Sequence, residues 1–234
     1  MGRVDGGTVL VRSLLACEVT TIFTLHGGHL DSTYRAAADR GIRLVDTRHE
    51  QAAGLAAMGW ALATGEVGVA MVTAGGGVSN VVTAIANAYA DAVPLVVLGG
   101  APPLRDYDCF PVNSGGFDQL ALVSGITKWA HRVTTLDELG RMVTRAFEIA
   151  RNGRPGPVYL DLPTDVLFAQ ADDAVLAPVA TPSKPVGPAP SASAVAETIE
   201  ILRAAKRPVI LAGAGVTRAR AADLLGGGSA RSIR

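Results

Sequence analysis

The chain has 234 residues, of which 49% are hydrophobic and 18% are charged, and its 21 basic and 21 acidic residues cancel. A neutral chain without a long run of one charge is a poor binder of nucleic acid or of a membrane surface. Aromatic residues make up only 5%, which disfavours a base-stacking platform. Cys17 and Cys109 have neither disulfide-framework nor zinc-site spacing, so we expect reduced thiols in a cytoplasmic protein.

The predicted elements alternate between apolar strands and helices over the first two-thirds of the chain. An amphipathic helix opens the sequence, and Asp5, Arg12 and Glu18 make it too polar for a signal peptide or a membrane span. Strands are predicted at 20–25, 42–47, 67–73, 94–100, 129–134 and 156–162, and helices at 30–40, 50–64, 78–91 and 136–151. Apolar strands separated by helices predict an α/β fold, in which a parallel sheet carries helices on both faces.

A proline-rich stretch follows this predicted domain. Residues 174–192 contain five prolines and little that could pack, which is typical of an extended linker. We therefore predict a domain at 1–170, a linker at 171–192 and the start of a second α/β domain at 193–234. That start comprises a helix and a strand within "RPVILAGAGV", and one helix with one strand cannot bury a core. We expect the second domain to be truncated.

Three loops carry polar residues among small ones directly after predicted strands: "LHGGHL" (25–30), "TRHE" (47–50) and "VTAGGGVSN" (72–80). The carboxyl ends of parallel strands share one edge of a sheet, where ligands bind in open α/β folds. The loops therefore predict one small-molecule pocket, without naming a reaction. The plain alternatives are that Glu50 stabilises a helix start and that the glycines form a tight turn.

Other site types fit the sequence poorly. The glycine loop matches neither a P-loop nor a dinucleotide fingerprint, and no G-x-S-x-G of a hydrolase is present. His26 and His29 offer only two metal ligands, so no metal site is predicted from them.

Long ordered motifs resemble one known family. "DTRHEQAAGLAAMGWALATGEVGVAMVTAGGGVSN", "ITKWAHRV" (126–133) and "NGRPGPVYLDLPTDV" (152–166) resemble the pyrimidine-binding domain of thiamine-diphosphate enzymes of the acetolactate synthase type. Within that family "LHGGHLD" and "VTAGGGVSN" are most similar to benzaldehyde lyase. The resemblance covers about residues 3–170. It implies the thiamine-diphosphate-binding fold and an enzyme that makes or cleaves C–C bonds next to a carbonyl of 2-keto acids, 2-hydroxy ketones or aldehydes.

The resemblance also assigns roles to residues. Glu50 would hydrogen-bond N1′ of the aminopyrimidine and favour the imino tautomer, whose nitrogen takes the proton from C2 of the thiazolium. His29 would face the substrate and relay protons, with a solvent-facing histidine at a helix start as its alternative. Asn113 lies near a substrate-contacting position, although its loop is one residue longer than in benzaldehyde lyase. The residues that would line the pyrimidine ring are Gly27, Thr73, Gly76 and Asn80.

The family's remaining parts have no counterpart in the sequence. Magnesium and the diphosphate would be held by a C-terminal domain with a Gly-Asp-Gly motif, which does not occur here. Members that use FAD hold it mainly through central-domain residues that are mostly absent, so FAD is not supported. We expect an incomplete chain that is inactive alone and belongs to a full-length enzyme that is a homodimer or a higher oligomer.

Two alternatives stay open. The chain could be a free-standing subunit that is completed by a separate diphosphate-binding chain. It could also be a non-catalytic interaction module that uses "GAGV" (213–216) for a nucleotide, although a lone glycine turn is weak support.

Overall fold

A computed structural model describes residues 2–109, 116–174, 176, 180–183 and 187–225 of the chain. The chain divides into two compact units, Met1–Pro185 and Val186–Arg234. None of the helices that the structure describes combines the length and apolar character that crossing a bilayer would require.

The first unit is built around a six-stranded parallel sheet. Its strands are β2 (Thr21–Thr24), β3 (Arg43–Asp46), β4 (Gly68–Val72), β5 (Leu95–Ala101), β6 (Trp129–Arg132) and β7 (Pro157–Pro163). They lie in the order β3-β2-β4-β5-β7-β6, and every neighbouring pair is parallel. The predicted α/β fold with a parallel sheet is confirmed.

The helices lie on both faces of this sheet. They are α1 (Gly6–Ala16), α2 (Asp31–Asp39), α3 (Glu50–Thr64), α4 (Gly76–Ala90), α5 (Gln119–Ser124), α6 (Leu136–Arg151) and α7 (Thr164–Phe168). A two-stranded antiparallel pair, β1 (Arg3–Asp5) with β8 (Gln170–Asp172), was not predicted. It joins the two ends of the segment that contains the sheet.

The central strands are apolar throughout because both of their faces are covered. In β4, Val69 and Met71 belong to the core cluster that contains residues of α1 and α6. Ala70 and Val72 belong to the second cluster, which contains residues of α3 and α4. Alternate residues of one strand thus enter two different cores, as expected of a strand in the middle of a three-layer fold.

The strand order creates a switch point between β2 and β4. The chain leaves β2 for β3 on one side and then returns to place β4 on the other side of β2. Thr24 and Met71 pair across this junction, at the carboxyl ends of the two strands. Connections that diverge from adjacent strands leave a crevice at that edge, which is where ligands bind in open α/β sheets.

The second unit contains helices α8 (Ala192–Ala204) and α9 (Ala214–Arg218). The strand predicted within "RPVILAGAGV" was wrong, because residues 208–213 form no strand. A strand needs a neighbour to satisfy its backbone groups, and the described residues of this unit provide none. Val209 and Leu211 are consequently 92% and 98% exposed.

Candidate functional site

The three loops predicted from the sequence meet at the switch point between β2 and β4. The loop after β2 leads into a short 3₁₀ turn at Gly28–Leu30, α3 begins at Glu50, and α4 begins at Gly76. Each loop follows a parallel strand and therefore opens at the same edge of the sheet.

Glu50 is the first residue of α3 and is only 7% exposed. The preceding His49 is extended, and its Nδ1 accepts a hydrogen bond from the backbone N–H of Gln51 at 3.1 Å, which caps the helix. Oε2 of Glu50 accepts from Nδ2 of Asn80 at 2.9 Å. Among the described residues no hydrogen bond reaches Oε1, so one oxygen is held and the other is an open acceptor.

Glycine keeps the surroundings of that open oxygen clear. A Cβ at Gly77 would lie 3.5 Å from Oε1 of Glu50 and 3.1 Å from Cγ2 of Thr73. Gly76 is exposed, and a Cβ there would meet nothing within 4 Å. The start of α4 thus presents backbone rather than side chains beside the carboxylate.

Thr73 lies at the centre of the group. Its Oγ1 is 2.9 Å from Nδ1 of His29, and this contact fixes the orientation of the imidazole ring. Burial lowers the pKa of His29 below its ordinary value of 6.5, which favours the neutral ring. A Cβ at Gly27 would lie 2.2 Å from Cβ of Thr73, so only glycine allows the loop after β2 to approach Thr73 this closely.

The structure therefore brings together most of the residues predicted for the site. His29 is paired with Thr73 and Glu50 with Asn80, and Gly77 lies between the two pairs, since a Cβ there would be close to both Thr73 and Glu50. Gly27 contacts Thr73 directly, and Gly76 stands at the rim with open space around it. Asn113 lies outside the described residues.

Sequence reasoning missed a buried polar network behind the glycine turn. Gln119, the first residue of α5, is 3% exposed. Its Oε1 accepts from the backbone N–H of Gly75 at 2.6 Å, and its Nε2 donates to Oδ1 of Asp161 at 2.6 Å. One signal was available, because "YLDLP" sets an acid in an otherwise apolar strand and buried acids are almost always paired.

Asp161 anchors this network from β7. It is fully buried, and its Oδ2 accepts from Nε of Arg132 at 2.6 Å while Oδ1 accepts from the Tyr159 hydroxyl at 2.9 Å. Burial raises the pKa of the Asp161 carboxyl, and the Arg132 guanidinium opposes that rise. Burial, followed by the charge of Asp161, raises the pKa of Tyr159 well above its ordinary value, so the hydroxyl remains a donor.

No group of three or more His, Cys, Asp or Glu side chains in the described part of the chain is arranged to hold a metal ion. The arrangement at the switch point fits an organic ligand: a buried carboxyl group with one open oxygen, an imidazole whose pKa burial lowers, and exposed backbone. An α/β domain with such a site at the strand switch point belongs to the class of small-molecule-binding domains.

Comparison with known proteins identifies the family. The family model described as "Thiamine pyrophosphate enzyme, N-terminal TPP binding domain" matches residues 4–125, which is more than half of the chain. The chain belongs to this family, as the motifs predicted. The matched segment contains the three loops and Gln119.

The relatives are considerably longer than this chain. It is 37% identical over 210 residues to the acetolactate synthase large subunit IlvG of Mycobacterium tuberculosis, a match that covers 90% of this chain and 38% of the relative. The acetolactate synthase isozyme 2 large subunit of Escherichia coli is 36% identical over 223 residues, which cover 94% of this chain and 39% of the relative. The "Probable 2-ketoarginine decarboxylase AruI" of Pseudomonas aeruginosa is 38% identical over 218 residues, which cover 91% of this chain and 38% of the relative. The chain thus spans less than two-fifths of each.

The site residues fit the aminopyrimidine end of thiamine diphosphate. A planar heterocycle needs a hydrogen-bonding partner and a surface without side chains, and Oε1 of Glu50 beside Gly77 offers both. The anionic end of the cofactor has no comparable partner among the residues of this group.

Proposed function

We propose that this chain supplies the half of an active site that activates the pyrimidine ring of thiamine diphosphate. The observation that carries the proposal is the buried Glu50, whose Oε2 is held by Asn80 while Oε1 faces the glycine turn. The enzyme of which it is part would make or cleave C–C bonds next to a carbonyl of 2-keto acids, 2-hydroxy ketones or aldehydes. Thiamine diphosphate supplies the electron sink for such chemistry when it is bound.

The roles of the side chains follow from their contacts. Glu50 would hold a proton at Oε1, opposite N1′ of the pyrimidine ring, and Asn80 would fix the orientation of its carboxylate. Gly27, Thr73 and Gly76 would line the same ring. Gly27 and Thr73 lie close together and would form one part of that lining. A positioned acid–base group of this kind contributes about 10²–10⁴-fold to the rate.

His29 is proposed to relay protons to and from the substrate. Its Nδ1 is engaged with Thr73, which leaves Nε2 as the nitrogen that can exchange a proton with a bound molecule. Asn113 is proposed as a substrate contact on its sequence position alone. A benzaldehyde lyase-like substrate preference is proposed from the motifs "LHGGHLD" and "VTAGGGVSN".

The wider organisation is proposed from the length of the relatives. Residues 1–170 would form the pyrimidine-binding domain, 171–192 a linker and 193–234 the beginning of a central domain. Magnesium and the diphosphate would be held by a part of the enzyme that corresponds to the remaining length of the relatives. We propose a cytoplasmic enzyme that is a homodimer or a higher oligomer.

Titration of the purified chain with thiamine diphosphate and Mg²⁺, followed by calorimetry and by NMR of the Asn80 side-chain amide, tests the proposal. We expect binding that shifts the Asn80 signal and that weakens in Glu50→Gln. The control is Glu66→Gln, an exposed acid just beyond the far end of α3, which should bind as the unmodified chain does. A folded chain whose Asn80 signal does not move at millimolar cofactor would contradict the proposal.

A further inference from the structure

We infer that Gln119 is a positioning residue for this site, which holds the glycine turn at the start of α4 and thereby sets Asn80 against Glu50. Gln119 touches neither Glu50 nor Asn80 in the described contacts; it acts through the backbone of Gly75. This inference rests on the proposed function, because the position of Asn80 against Glu50 matters only if the site binds the pyrimidine ring. The contacts of Gln119 can be tested without a cofactor.

The turn needs an anchor from outside its own segment. Gly75 has φ +68° and ψ −107°, a backbone conformation that residues with a side chain rarely adopt. Gly75 is the N-cap residue of α4 and has no side chain that could cap the helix. The position of this helix start is fixed instead by Oε1 of Gln119, which accepts from the Gly75 N–H at 2.6 Å across 44 residues of sequence.

Gln119 is itself held in one orientation. Its Nε2 donates to the carbonyl of Gly100 at 3.0 Å and to Oδ1 of Asp161 at 2.6 Å. Only the amide oxygen can accept from Gly75, and only the amide nitrogen can donate to these two acceptors, so a flipped amide would lose all three bonds. Asp161 is in turn bound to Arg132 of the neighbouring strand β6, so the anchor is tied to two strands of the sheet.

The geometry of the carboxylate depends on this anchor. Gly77 lies two residues after Gly75 and leaves open the space beside Oε1 of Glu50. Asn80 lies one further turn along α4 and donates to Oε2. A displacement of the first turn of α4 would therefore alter the environment of both carboxylate oxygens at once.

Amide hydrogen exchange and side-chain NMR of the cofactor-free chain test the inference. We expect Gln119→Met, which keeps the side-chain length, to speed exchange at Gly75 by at least about tenfold, as for the loss of one buried hydrogen bond. We also expect it to shift the Asn80 side-chain amide signals. Gln170→Met, at an exposed position in β8, is the matched control and should change neither.

A measurement on the unmodified chain serves if Gln119→Met does not fold. We expect an NMR scalar coupling across the hydrogen bond between the Gly75 amide nitrogen and the side-chain carbonyl carbon of Gln119, together with slow exchange of the Gly75 amide. A Gly75 amide that exchanges as fast as an unprotected amide and shows no such coupling would overturn the inference.

The inference is overturned if Gln119→Met leaves Gly75 exchange and the Asn80 signals unchanged. It is equally overturned if exchange rises by the same factor at every amide of α4, since that pattern indicates a loss of global stability. Because both readouts use the cofactor-free chain, a failure to bind thiamine diphosphate would count against the proposed function and leave this inference standing.

Discussion

Asn80 is the only side chain in the described part of the chain that donates a hydrogen bond to the buried carboxylate of Glu50. Removing the donor leaves a buried carboxyl oxygen without its hydrogen-bond partner, which is costly in a protein interior. We expect Asn80→Leu to lower the free energy of unfolding by about 1–3 kcal/mol, measured by urea denaturation.

Asn87→Leu is the matched control for this substitution. Asn87 lies on the same helix, is exposed, and makes no side-chain hydrogen bond in the described part of the chain. It should change the free energy of unfolding by no more than about 0.5 kcal/mol. Equal effects of the two substitutions would show that the Asn80–Glu50 bond has no stabilising role.

His29 should make stability depend on pH. Burial lowers its pKa below 6.5, so near that pH the unfolded chain binds a proton that the folded chain does not. The free energy of unfolding contributed by this group therefore falls as the pH drops from 6.5 toward the folded-state pKa and is constant above 6.5. We expect His29→Gln to reduce the difference in unfolding free energy between about pH 5 and about pH 7.5.

An NMR titration of the His29 ring provides an independent check of its pKa. The midpoint of the folded chain should lie below 6.5, the ordinary value for the residue. A midpoint at or above 6.5 would mean that the ring is more hydrated than its packing against Thr73 indicates.

At single positions, the sequence singled out residues in the short polar motifs that follow the strands, and it missed Gln119 and Asp161. Glu50 and Asn80 belong to such motifs, and they form a hydrogen bond in the structure, while their roles in a site stay predictions. Gln119 sits in a segment without a distinctive pattern, and its function depends on an acid 42 residues later in β7. Such a pairing arises from the adjacency of strands, which local periodicity does not encode.

Helices α3 and α4 touch through a contact that only glycine permits. A Cβ at Gly54 would lie 2.5 Å from Cβ of Ala84 and 2.8 Å from Cγ2 of Val81. Since α3 carries Glu50 and α4 carries Asn80, separating the helices would also disturb the site. We expect Gly54→Ala to lower the free energy of unfolding by about 1–3 kcal/mol in urea denaturation, as overpacking does.

Gly59→Ala is the control on the same helix. Gly59 is exposed, and a Cβ there would meet nothing within 4 Å. Alanine at an open helical position should raise the unfolding free energy by about 0.5–1 kcal/mol. If both substitutions stabilise the protein, the two helices can move apart without cost.

The elements differ in how well the sequence predicted them. The central strands β4, β5 and β7 were recognised because burial on both faces makes them apolar runs. The edge strands β3 and β6 are only partly buried and were predicted as well. The pair β1–β8 was missed because each strand has three residues and the pairing Arg3↔Asp172 joins distant parts of the chain. Helix α5 has only six residues, and its one local signal was Asp118, whose side chain caps the helix by accepting from the N–H groups of Leu120 and Ala121.

At the scale of the whole molecule, the second unit leaves large apolar side chains in contact with solvent. Val209, Leu211 and Leu224 are 92%, 98% and 80% exposed. The segment 208–213 has the composition of a buried strand but no strand partner in the described part of this unit. Apolar surface of this kind lowers its free energy by contact with other apolar surface, including that of a second molecule.

We therefore expect the isolated chain to associate. Sedimentation velocity should show a weight-average mass that rises with protein concentration, because association follows mass action. Replacing Val209 and Leu211 by serine should reduce that rise, since it removes the most exposed apolar side chains. The control replaces Ala205 and Ala219 by serine. Both are exposed residues of the same unit with little apolar surface, so their replacement should leave the rise unchanged. A monomer at every concentration would show that these side chains do not mediate contacts between molecules.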